Sequence, residues 1–350
     1  MEIKKLKGKN NNKGKKIFLG IEFLRMILSF LIVYIHCFSR SNAKSKFYLI
    51  PFKILCFYVP TFFLISFYFS YKSFVLRDIN KIVLRFKRFL IPYIIWPILI
   101  WIKNNYNYYF YKIKGKTALK NLYCQLLIGC GVHGVFWFHF NLIFVSLFLV
   151  INIFIFKKNY MFILYIICLI IYILNYFGYI SKIFLKYNKI PVRHSIKPIS
   201  NTLIYATTGF FLSSLNIINV INNNKKKSFL ILFFLFFYVI KYYNKINTLY
   251  YSFDVIIIDI VGTFLFLFFS ILPLEKINIL FIQSIFRLIT SYTGGIYYLH
   301  PEVMLMFKNI FKDIYYRTFK GCFLIYIISY FICFLGSKIF SKYSLKLLFI

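Results

Sequence analysis

The sequence predicts an all-α polytopic membrane protein of about ten transmembrane helices, and three observations carry that prediction. Apolar residues make up 61% of the 350 and mean hydropathy is +0.74, more than a soluble core of this length needs, so lipid is the solvent for most of the chain. The apolar residues fall into runs of about twenty, the length at which a helix crosses a hydrocarbon layer of about 30 Å. The lysines lie between those runs, where loops meet phospholipid headgroups. That placement excludes a nucleic-acid partner even though 44 Lys and Arg against 8 acidic residues give a net charge of +36, because the charge is not gathered on one soluble module.

Residues 1–16 hold seven lysines and are too polar to fold alone, so they read as a basic cytoplasmic tail. The next apolar run is too long for a signal peptide and no small-residue cleavage site follows it, so it is expected to stay as an anchor. Hydropathy then places spans at 17–38, 47–70, 89–110, 136–156, 160–180, 199–217, 228–243, 253–273, 284–307 and 321–340. Residues 118–131 read as a short interfacial or re-entrant piece. The whole of 17–340 is taken as a single transmembrane domain, with 341–350 a short C-terminal tail. Seven cysteines, an odd number with no CxxC pair, indicate neither a disulfide framework nor a zinc site, and no metal is expected.

The first span carries the strongest chemical signal. Arg25 and His36 stand eleven residues apart in an apolar run, and charge inside a membrane span is expensive enough to be a functional signal by default. At 100° and about 1.5 Å per residue they share one face and stand roughly 16 Å apart. Glu22, Ser29 and Ile32 fall near the same stripe, so a polar seam is expected to face inward while Leu, Ile, Val and Phe meet lipid. An imidazole titrates near neutrality, which makes His36 a candidate general base. The always-charged fork of Arg25 suits a phosphate, a carboxylate or a developing oxyanion.

Three further signals follow along the chain. Arg85-Phe-Lys87-Arg88 directly precedes the span that starts at Phe89. Basic residues at a cytoplasmic loop end satisfy topology and anionic lipid, and they equally suit the phosphates of a coenzyme. Val135-Phe-Trp137-Phe-His139 opens the fourth span and reads as an interfacial aromatic belt when taken alone. In the ninth span, Ser291-Tyr-Thr-Gly294-Gly295-Ile-Tyr297-Tyr298-Leu-His300-Pro301 offers paired glycines for close helix approach. A helix kink is expected at Pro301, with His300 either a second site residue or a cap on that break.

Together these signals resemble the acyltransferase family 3 membrane proteins. Arg25 with His36 looks like that family's Arg-to-His signature, and Pro60-Thr-Phe-Phe-Leu-Ile-Ser66 is similar to its Phe-Phe-x-x-Ser segment. Arg85 and Arg88 match its Arg-x-x-Arg loop, Trp137-Phe138 its Trp-Phe span start, and Tyr297-Tyr298-Leu-His300 its Tyr-Leu-x-His ending. Met26 and Phe67 stand where many members have glycine. The resemblance implies O-acylation of a cell-surface sugar or polysaccharide, with acetyl or succinyl drawn from acyl-coenzyme A. By that resemblance His36 is the general base, Arg25 positions donor or oxyanion, and Arg85 and Arg88 hold coenzyme phosphates. Glu22, Trp137, Tyr297 and His300 are then substrate-binding or structural. The implied partners are the glycan acceptor, membrane lipids and glycan-synthesis proteins. The alternative from another class is a polysaccharide or lipid-linked sugar exporter or flippase, which also uses many spans and inward-facing Arg and His but has no need of a coenzyme dock.

Orientation rests on the early segments. The tail has seven positive charges and the 71–88 loop six, against three in the first intervening loop, so both termini are expected in the cytoplasm of a bacterial-type inner membrane. Single cysteines at Lys13 and Lys44 are predicted to lie on opposite sides: an impermeant thiol reagent added outside should label the second and spare the first, and labelling of both would reverse the assignment.

Overall fold

A computed structural model of the chain describes residues 18–37, 57–111, 115–129, 135–157, 159–176, 193–224, 228, 231, 254–272, 280–316, 318–341 and 344–350. Among these residues the regular structure is helical: α1 (Leu19–Cys37), α2 (Tyr58–Val75), α3 (Ile79–Tyr111), α4 (Gly115–Ile128), α5 (Trp137–Phe156), α6 (Tyr160–Tyr176), α7 (Arg193–Ser214), α8 (Ile217–Asn223), α9 (Asp254–Ile271), α10 (Leu280–Ser291), α11 (Thr293–Tyr316) and α12 (Phe319–Ile339). A 3-10 turn at Ser344–Leu348 follows. By length and composition α1, α5 and α12 are able to cross a membrane, and α6 and α9 contain the shorter apolar stretches Tyr160–Ile171 and Ile258–Ile271. The span expected at 228–243 lies outside the described residues, residues 228 and 231 excepted.

One expectation changes. The stretch 284–307 is not one span: α10 ends at Ser291, Tyr292 makes a turn and α11 starts afresh at Thr293. Pro301, where a kink is expected, lies inside α11, which runs through it without ending. The break falls at Tyr292 because α12 holds that side chain. Its ring meets Tyr330 and Phe334 at 5.6 and 6.2 Å, and its hydroxyl accepts from Ser337 Oγ at 3.0 Å. On either side, Ser291 and Thr293 hydroxyls donate back to the Leu288 and Thr290 carbonyls, offering the backbone an alternative to the helical ladder.

The turn between α2 and α3 follows from local chemistry. Arg77 takes φ 53°, and Asp78 then caps α3, its carboxylate accepting from the Lys81 amide at 3.2 Å and from Lys81 Nζ at 2.5 Å. The side-chain bond from Lys81 holds the Asp78 carboxyl below its usual range. From this cap α3 runs for 33 residues, about 50 Å, so the basic segment Arg85–Arg88 is helix continuous with the apolar stretch beyond it. Arg77 Nη2 donates to the Ile153 carbonyl at 3.3 Å and its guanidinium lies 4.9 Å from the Phe154 ring, a cation at the C-terminal end of α5 where the helix dipole favours it.

The central element is α2, buried on both sides. Phe63, Phe67 and Phe74 pack with α3, α5 and α7, while Leu64, Ile65 and Tyr68 pack with α1 and α9. A third cluster joins α1, α11 and α12 through Val33, Ile296, Val303 and Ile325. Close approach to α2 needs small residues: a β-carbon at Gly209 of α7 would stand 2.6 Å from the Leu64 carbonyl oxygen, and one at Gly262 of α9 would stand 2.8 Å from Thr61 Oγ1. Gly209→Leu is therefore predicted to force α7 off α2 and destabilise the protein by about 1–3 kcal/mol, read as a lowered thermal transition in detergent. An unchanged transition would remove α2–α7 contact as a constraint on the fold.

Candidate active site

The same arithmetic that aligns Arg25 with His36 on α1 aligns Thr293 with His300 on α11, since seven residues return a helix to within roughly 20°. The two faces meet. Arg25 Nη2 donates to Thr293 Oγ1 at 3.3 Å, and the His36 and His300 rings lie 5.1 Å apart between centroids. α1 and α11 therefore run parallel, with an arginine–threonine contact toward their starts and a histidine pair further along.

At the first contact Arg25 Nη1 also donates to both carboxylate oxygens of Glu22, at 3.0 and 3.3 Å. Glu22 and Arg25 thus form an ion pair on one helix face, half-buried on both sides. One turn on, Ser29 is buried and shares a 2.8 Å hydrogen bond with Tyr326 of α12. The seam expected to face inward along its whole length does so at Arg25, Ser29 and Ile32, whereas His36, in the last turn, is exposed. Its neighbour His300 is fully buried and stands 3.1 Å by Nδ1 from the Ile296 carbonyl. A carbonyl only accepts, so Nδ1 carries the proton and Nε2 is the basic nitrogen of His300.

The other signals meet around α2. Ser66 accepts from Arg85 Nη2 at 2.8 Å, and the Arg85 guanidinium lies 4.9 Å from Phe89 and 5.7 Å from each of Phe67 and Phe74. Phe67, a departure from the glycine common at that position, is thus one wall of the box around Arg85. Arg88 is exposed, so the two arginines point into different surroundings. Trp137 is half-buried 6.3 Å from Phe63, and Phe138 lies 4.5 Å from Phe63 and 5.0 Å from Tyr297. The Tyr297 hydroxyl donates to the Val135 carbonyl at 2.7 Å. What reads as an interfacial belt is, at Phe138 and His139, an internal aromatic junction.

Several polar contacts escaped the sequence reading. Nothing in the sequence marks Thr293 as a partner for Arg25, because no sequence rule pairs residues 268 positions apart. His139 is buried with its ring 4.2 Å from Tyr298. Asp259 on α9 accepts from Thr208 of α7 at 2.6 Å; an aspartate inside an apolar run was a legible signal. Glu302, just after Pro301, pairs with Lys103 of α3.

The family model described as an acyltransferase domain matches residues 18–342. Neither a curated protein nor a solved structure matches the chain. The matched range takes in every candidate side chain described above.

The Arg25 contacts generate a stability prediction. Glu22→Leu leaves the guanidinium with one neutral partner at a half-buried site, a loss on the order of 1–3 kcal/mol. The double variant with Arg25→Leu removes both charges and should regain most of it. Thermal unfolding in detergent decides; a double variant no more stable than Glu22→Leu would argue that the pair is not a compensated unit.

Proposed function

Because the chain belongs to the acyltransferase family 3 of membrane proteins, we propose that it moves an acyl group, acetyl or succinyl, from acyl-coenzyme A to a hydroxyl of a cell-surface sugar or polysaccharide. The observation that carries this reading is the meeting of α1 and α11, which sets His36 beside His300 and Arg25 on Thr293. In the proposed step His36 takes the proton of the acceptor hydroxyl while that oxygen attacks the thioester carbonyl. The C–S bond breaks, the ester forms, and the leaving thiolate takes up the proton, returning a neutral imidazole. His300, its basic nitrogen fixed by the bond from Nδ1 to Ile296, orients the His36 ring.

Arg25 is assigned to the donor. About 16 Å of helix separates it from His36, so one reacting carbonyl cannot touch both. Arg88, exposed on the cytoplasmic extension of α3, takes coenzyme phosphates, and Arg85, tied to Ser66, holds that extension against α2. Trp137 and Tyr297 line the aromatic wall between the two ends. With both termini in the cytoplasm of an inner membrane, the donor enters from the Arg25 end and the acceptor meets His36 near the outer face, beside glycan-synthesis proteins.

His36→Ala is predicted to lower transfer by 10²–10⁴-fold, the usual worth of a general base, in membranes holding equal amounts of folded protein. Transfer above about a tenth of wild type removes His36 as the base. Arg88→Gln should raise the donor KM with a smaller change in kcat, once its insertion has been checked. A purified protein that binds no acyl-coenzyme A yet moves lipid-linked sugar across vesicles would replace this reading with the exporter.

A further inference from the structure

After α12 the chain turns back on itself, and residues 344–350 return to the start of α11. The paired glycines there face this returning segment, and Gly295 also faces α12. A β-carbon at Gly294 would stand 2.6 Å from the Ile350 carbonyl oxygen, and one at Gly295 would stand 2.5 Å from the Phe349 carbonyl oxygen and 2.7 Å from Cys333 Sγ. Gly336 of α12 faces the same segment, its β-carbon position 2.5 Å from Phe349 Cε1. Three glycines on two helices thus leave room for one short stretch of main chain and one phenyl ring.

Polar and aromatic contacts fix the segment in that slot. Trp96 of α3 donates from Nε1 to the Leu348 carbonyl at 3.1 Å, and its ring stands edge-on to Phe349 at 6.1 Å. Phe349 stacks on Phe340 at 5.8 Å with the rings 5° apart, and Leu348 is buried. The segment touches α3, α11 and α12 at once. It also lies past residue 342, where the match to the family ends.

We infer that residues 344–350 are a wedge that positions Thr293 against Arg25. The reason is the break at Tyr292. With no helical continuity from α10, the first turn of α11 is held by what packs on it, and Gly294 and Gly295, the next two residues after Thr293, pack on the wedge. On the other side Tyr292 is held by α12. The histidine pair lies about two turns further along α11. This inference rests on the donor role proposed for Arg25.

Three variants test it: a chain ending at Ser341; Gly295→Val, which drives Phe349 out of an intact chain; and Trp96→Phe, which keeps the ring and deletes the N–H. The first readout needs no activity. Cys333 is buried in the wild type, so N-ethylmaleimide followed by peptide mass spectrometry should find it shielded there and labelled in the first two variants. Continued shielding would overturn the wedge. The second readout is kinetic: a weakened charge-assisted bond to Arg25 should raise the donor KM about tenfold in the first two variants, with kcat largely retained, and by less in Trp96→Phe. An unchanged KM, or faster transfer on removing the segment, would overturn the positioning role; the latter would make it a plug. Should truncation prevent folding, judged by size-exclusion profile, Gly295→Val and Trp96→Phe carry the test. Absence of acyl transfer in the wild type would sink the proposed function while the Cys333 result still decided the wedge.

Discussion

A guanidinium within an apolar helix bundle must find its partners within reach of its own side chain, and the placement of Arg25 organises much of this molecule. Glu22, one turn back, supplies the charge. Thr293 supplies a neutral acceptor from another helix. That second bond ties α11 to α1 in parallel and fixes which face of α11 looks inward. Along these two helices His36 lies on nearly the azimuth of Arg25 and His300 on nearly that of Thr293, and the two rings stand 5.1 Å apart. An uncompensated charge would be costly at this depth, so the contacts of Arg25 answer electrostatics as well as packing.

Arg85 solves the same problem differently. It takes one hydroxyl, Ser66, and three phenyl rings, Phe67, Phe74 and Phe89, an aromatic environment that favours a cation without neutralising it. Because Phe67 and Phe74 also face α7 through Phe210, the box around the arginine belongs to the packing between α2 and α7. Gly209 lets those helices come close enough to close it. The charged residues and the small residues of this chain are two parts of one arrangement.

Short-range chemistry was legible in the sequence wherever it acts along one helix. Arg25, Glu22, Ser29 and His36 sit on one stripe of α1 as the 100° step requires. The apolar run 284–307 misled because hydropathy measures affinity for lipid and is blind to a one-residue break. Pro301, the stronger breaker by rule, is tolerated inside α11, as proline is in membrane helices when neighbouring groups serve the freed carbonyl. Tyr292 breaks the run because its ring and hydroxyl are claimed by α12.

The sequence by itself determined the solvent of this protein, its helical class, the positions of most helices and the stripe that carries Arg25 and His36, since all of these depend on side-chain hydrophobicity and on the fixed geometry of a single helix. The family signature was legible for the same reason, as residue types at set spacings. Only the tertiary structure decided which groups answer those residues: Thr293 for Arg25, His300 for His36, Ser66 for Arg85, and the segment 344–350 for the glycines at 294 and 295. Each joins positions that helical periodicity cannot relate, because a contact between separate helices depends on how their axes cross and slide, and that is set by the packing of many side chains together.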